Sequence, residues 1–141
     1  MFKNIFKKQK KESQNNKNIL IIALLVHAAK IDENYTEIEK DIIKKVIMQL
    51  NKISLDESEK LIKFAEKKEE ESNQIVEFTR EIKKYSMKFR LKIIEIIWKI
   101  VYSDGTSDDY ESNLIRRICG LLYISGKDNG IIKTKVQNLS K

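Results

Sequence analysis

Proline is absent from the chain and glycine occurs only four times in 141 residues. A sheet protein or a loop-rich scaffold needs far more of both, because they supply the backbone conformations of tight turns. A single cysteine, Cys119, excludes an internal disulfide and any site built from cysteine pairs. It falls within an apolar helical pattern, which assigns it to packing in a reduced compartment. A single histidine, His27, is all that a histidine-based zinc site or a Ser-His-Asp triad has to be built around. There is no Gly-rich phosphate loop and no nucleophile motif, so the sequence offers nothing on which to build an enzyme.

Long apolar runs are missing as well. The two strongest, Ile19 to Val26 and Ile93 to Val101, fall short of the roughly 18 residues needed to span a bilayer. The Lys-rich start, the first of these runs and the pair Ala28-Ala29 together imitate a secretory signal peptide. The same pattern recurs at Ile93 to Val101, deep in the chain, where it can only be a core helix. The chain therefore reads as soluble.

What is present is Lys, Glu, Ile and Leu, the composition of helices joined by short turns, in a length that suits one domain with its own core. The formal charge of +7 is not evenly spread: residues 1–17 hold six Lys and one Glu, a balance of +5, which leaves +2 for the other 124 residues. This divides the chain into a basic flexible tail, 1–17, and a nearly neutral domain, 18–141. No basic stripe with interleaved aromatics emerges from the domain sequence, which argues against a nucleic-acid partner.

Helical periodicity marks about seven segments and gives an all-α, single-domain helical bundle. The two that are apolar nearly all round, 18–30 and 88–103, belong at its centre. Each is followed by a short polar turn and an amphipathic helix, from about Glu37 to Leu50 and from about Asp109 to Leu122. The stripe Ile38, Ile42, Ile43, Val46, Ile47 matches Tyr110, Leu114, Ile115, Ile118, Cys119 at a constant offset of 72. Over residues 21–47 against 93–119 that offset gives five identical pairs in 27. Two of the five are polar, Asp32 with Asp104 and Glu39 with Glu111, which amphipathicity alone does not require and an internal duplication of a helical hairpin does. Further helices are expected from a Ser54–Glu57 capping box to about Lys67, over about Asn73 to Tyr85, and over about Lys127 to Leu139. The charge-rich stretch Glu66 to Glu71 reads as a solvated helix end or turn.

The two turns, with Asp32 and Glu39 in the first and Asp104, Gly105 and Glu111 in the second, resemble the paired signature of the TerB family. That family, named for tellurite resistance, has a helical domain whose two hairpins each carry an Asp-Gly turn and a Glu in the next helix. The resemblance covers roughly residues 18–139, and Glu33 departs from it where a Gly is expected. It implies a cytoplasmic, non-enzymatic module of a stress-response or membrane-linked system, with a protein partner. It also implies that Asp32, Glu39, Asp104 and Glu111 form a site for a divalent cation. Calcium and magnesium are the expected ions, since hard cations want six to eight oxygen ligands and a local excess of carboxylates. Neither segment has the ligand spacing of an EF-hand. The residues themselves leave a second reading open. Thr36 to Glu39 and Asp108 to Glu111 both have capping-box spacing, so the two Glu can serve helix starts, and Asp32 and Asp104 suit turns.

His27 pairs with Lys99 under the offset, which places it at the polar rim of a helix interface, and Trp98 pairs with Val26, which places it in the core. In the tail, Met1, Phe2, Ile5 and Phe6 share one helical face among five lysines. The segment 1–11 therefore reads either as a solubilising tail or as a weak anchor to an anionic membrane surface. The anchor defines the alternative function, a peripheral membrane adaptor at the inner face of the membrane with structural acidic turns.

Overall fold

A computed structural model describes residues 17–31, 35–72, 74–104 and 109–139. Every regular element among them is helical. In chain order they are α1 (17–30), α2 (Glu37–Asn51), α3 (Leu55–Glu71), α4 (Val76–Ile82), α5 (Met87–Val101) with a 3-10 turn at Tyr102–Asp104, α6 (Asp109–Leu121) and α7 (Gly126–Leu139). The basic tail lies outside the described residues except for Lys17, which belongs to α1.

The two apolar segments are the centre of the bundle, as their all-round hydrophobicity requires. In α1 the run Ile21 to Val26 is buried without interruption, and Ala28 and Ala29 follow it. In α5 Ile93, Ile94, Ile96, Ile97, Trp98, Ile100 and Val101 are buried in the same way. The amphipathic helices close over them with one face each: Ile43 and Ile47 from α2, Ile115, Ile118 and Cys119 from α6. Phe78 and Ile82 of α4 and Val136 of α7 complete one continuous core. Helices α2 and α6 begin at positions 37 and 109, which are 72 apart, so the sequence offset is also the offset of the helix starts.

Trp98 is a core residue, and its indole N–H donates to Asn129 Oδ1 at 2.9 Å, which ties α5 to α7. A buried indole N–H needs such a partner. Cys119 is buried too, in the core to which its apolar helical pattern assigns it, and desolvation pushes its thiol up to about 12.

Three local readings are corrected. The helix expected over about Asn73 to Tyr85, of which Asn73 lies outside the described residues, is Val76–Ile82, and it ends early because Lys84 N–H and Tyr85 N–H bond three residues back and tighten the chain into a turn. Ser86 then caps α5 by accepting from Phe89 N–H at 3.2 Å. At Ser54 the cap is single: its hydroxyl accepts from Glu57 N–H, without the reciprocal bond of a full box among the described residues. The third correction is confined to Glu69: the segment Glu66 to Glu71 is the expected helix end, the last turns of α3 with Lys67, Glu70 and Glu71 exposed, but Glu69 within it is only 12% exposed.

Candidate functional site

Around the first acidic turn, whose residues 32–34 lie outside the described structure, stand the end of α1, the start of α2 and the end of α3. Thr36 is the N-cap of α2, with extended backbone (φ −82°, ψ 162°) that stops the helix and aims its hydroxyl at the first turn. Glu39 N–H donates to Thr36 Oγ1 at 3.1 Å, and Thr36 N–H donates to Glu39 Oε1 at 3.1 Å. This is a complete capping box, and the Thr36 hydroxyl itself donates to the same Oε1 at 3.0 Å. Glu39 is only 5% exposed, so these bonds offset part of the desolvation that a buried carboxylate suffers.

Glu69 reaches the same end of the bundle from α3. Its Oε1 lies 3.1 Å from His27 Nδ1 and its Oε2 lies 3.0 Å from Lys30 Nζ, so one carboxylate pins α1 to α3 at two points. His27 is thus the polar rim residue its repeat position predicts, with a partner that the sequence did not identify. Tyr35 stands between these groups. Burial of its phenol, and after that the carboxylates of Glu66, Glu39, Glu37 and Glu69, push its pKa up. Its hydroxyl oxygen is buried and has no hydrogen-bond partner among the described residues. Lys40 Nζ sits 4.8 Å from the centre of its ring.

The second turn repeats this plan in part. Asp104 ends the 3-10 turn, and Glu111 occupies the third position of α6, as Glu39 does in α2. Glu111 is 6% exposed, a carboxylate as buried as its counterpart. Asp32, Gly105 and Asp108 lie outside the described residues, and so does the side chain of Asp104.

Of the four expected ligands, Glu39 and Glu111 therefore stand within the described structure as buried carboxylates, hard oxygen donors of the type that calcium and magnesium take. Among the described residues no group of three or more His, Cys, Asp and Glu is arranged to hold a metal ion. A site here needs the two Asp as well. Also among the described residues, no helix is long and apolar enough to cross a membrane.

Reasoning along the sequence missed two features that depend on packing. One is the His27–Glu69–Lys30 network, whose members lie 42 and 39 residues apart. The other is a lysine-rimmed cleft between α5 and α7, lined by Lys88, Phe89, Leu91, Lys92, Ile132 and Lys135, among others. The nearly neutral count of the domain conceals it.

No curated protein and no solved structure matches the chain. The family model described as tellurite resistance protein TerB matches residues 18–134, which takes in α1 to α6 and more than half of α7. The chain belongs to the TerB family.

Proposed function

We propose that this chain is a non-catalytic regulatory or interaction module of a stress-response or membrane-linked system, and that its two acidic turns bind a divalent cation. The observation that carries the reading is the pair of buried carboxylates, Glu39 and Glu111, at the third position of two helices whose starts lie 72 residues apart. Amphipathic packing asks for apolar residues at such buried positions, and charge there has a cost that a bound cation offsets. Asp32 and Asp104 complete the ligand set. A bound ion supplies positive charge among crowded carboxylates and so couples ion concentration to the stability of the domain. The carboxylates of Glu39 and Glu111 hold their place because each belongs to the first turn of a helix.

One observation favours a second reading at the first turn. Glu39 Oε1 already accepts both the N–H and the hydroxyl of Thr36, so Glu39 has a complete structural task as a capping residue. The two roles coexist on one carboxylate, which has two oxygens, and they separate by experiment. Protein stripped with chelator is titrated with calcium, magnesium and manganese by calorimetry, and its thermal midpoint is followed. The cation reading expects binding heat, a raised midpoint and loss of both in Asp104→Asn, with the metal-free variant as stable as the parent. The capping reading expects no response to millimolar ion, and a loss on the order of 1 kcal/mol in Glu39→Ala with or without it.

A further inference from the structure

Although the domain is close to neutral as a whole, its charge is segregated by helix. Helix α3 carries seven carboxylates against four lysines, whereas α5 and α7 together carry seven cations against two carboxylates. These two helices run antiparallel, since Trp98 meets Asn129 while the earlier Glu95 meets the later Lys135. Between them lies an open cleft of about 500 Å3. Its floor is Phe89, Leu91 and Ile132, half-buried residues packed against the core. Lys88, Lys92 and Lys135 stand exposed on its rim.

Glu95, the one carboxylate that lines the cleft among the described residues, is already engaged by Lys135 at 2.7 Å and Lys92 at 3.2 Å. The hydrogen bond from Lys135, followed by the Lys92 contacts acting against burial, holds it below the usual carboxylate range, so it is ionised and satisfied. Among the described residues no carboxylate pairs with Lys88. The rim therefore keeps an excess of positive charge over an apolar floor. Met87 and Leu139 are exposed apolar residues at the ends of α5 and α7 that antiparallel packing brings to the same side.

We propose that this cleft docks an acidic amphipathic helix of a partner protein. Apolar side chains at helical spacing enter the floor, and carboxylates flanking them meet Lys88, Lys92 and Lys135. Charge complementarity selects this occupant. The chain's own N-terminal segment, with six Lys and one Glu in residues 1–17, is repelled by the same rim. A flat anionic membrane or a phosphate backbone satisfies the lysines but leaves the apolar recess unfilled. The proposal gives the interaction part of the functional reading a surface, and rests on that reading in this respect. It shares no residue with the acidic turns, so failure at either place leaves the other standing.

The test uses the full chain and three fluorescent peptides of about 14 residues: one with Leu at i, i+3, i+7 and i+10 flanked by Glu, its scrambled isomer, and its Lys counterpart. Anisotropy should give saturable binding of the acidic helix, about tenfold tighter than the scrambled peptide, and no binding of the basic one. Lys88→Glu, on the exposed rim, should weaken it about fivefold or more with an unchanged thermal midpoint. Leu91→Gln should weaken it as well, with circular dichroism confirming that the variant is folded. No saturable binding at millimolar peptide overturns the proposal. So does binding insensitive to Lys88→Glu but lost on deleting residues 1–16, which assigns it to the basic segment. Lys88-dependent binding of anionic phospholipid vesicles in place of the peptide assigns the cleft to a membrane surface. Lys88-dependent dimerisation in sedimentation assigns it to a second copy.

Discussion

Tyr35 shows how one side chain can report on the acidic turn. Its hydroxyl is buried and lacks a partner among the described residues, and an unsatisfied buried hydroxyl costs on the order of 1–3 kcal/mol. Desolvation first, and then the carboxylates of Glu66, Glu39, Glu37 and Glu69, raise its pKa, so the phenol stays protonated and keeps an O–H to donate. The ring itself is well used, with Lys40 above it. Tyr35→Phe removes the hydroxyl and keeps the ring, so urea unfolding should show stability unchanged or increased by up to about 1 kcal/mol. A loss of that size would mean that the hydroxyl has a partner in solution. A loss seen only with calcium present would place that partner at an ion in the turn. None of this is legible from Tyr35 and its sequence neighbours, because Glu66 and Glu69 reach it through the packing of α3. The Thr36-x-x-Glu39 spacing, by contrast, is local, and it delivers the capping box it promises.

At the scale of helices, the ends are set by a few residues whose conformation costs more than the rest. Lys52 ends α2 in the left-handed region at φ 50°, and Tyr123 stands after α6 at φ 57°. After α6, Ile124 N–H bonds Cys119 C=O at 2.9 Å and Tyr123 N–H bonds Gly120 C=O at 3.4 Å, the two bonds of a Schellman motif, with buried Ile124 against the core. The Tyr123 ring meets Lys83, whose Nζ lies 4.5 Å from the ring centre. Lys52 is exposed and has no such compensation among the described residues. Lys52→Gly should therefore raise stability by about 0.5–1 kcal/mol, read as a shifted urea midpoint with an unchanged slope. An unchanged midpoint would mean that α2 ends differently in solution. Sequence reasoning placed the helices and missed such ends, since Lys and Tyr carry no sign of a left-handed cap where Gly would. The central segment expected from 88 begins as a helix at Met87, where the Ser86 hydroxyl caps it alone.

The whole bundle was legible because its two central helices are apolar nearly all round, and such segments have only one stable environment in a chain of this size. Residues 93–101 are as buried as 19–29, apart from Glu95 and Lys99 in one and His27 and the first two residues in the other. The cleft was not legible, because a count along the chain finds α3 acidic and α5 and α7 basic but cannot see that packing gathers their lysines around one groove. That bears on how the domain meets an anionic surface, since two basic regions compete for the role: residues 1–11, outside the described structure, and the α5–α7 rim. Deleting residues 1–15 removes five Lys and one Glu. A segment so charged contributes little apolar burial, so the thermal midpoint should move by no more than about 2 °C. If the membrane-adaptor reading holds, the deletion should abolish co-sedimentation with vesicles rich in phosphatidylserine, each lysine near such a surface being worth roughly 1 kcal/mol. Equal sedimentation of the full and shortened chains removes that reading. Sedimentation of the shortened chain that then fails in Lys88→Glu would move the membrane contact to the cleft and displace the helical partner proposed for it.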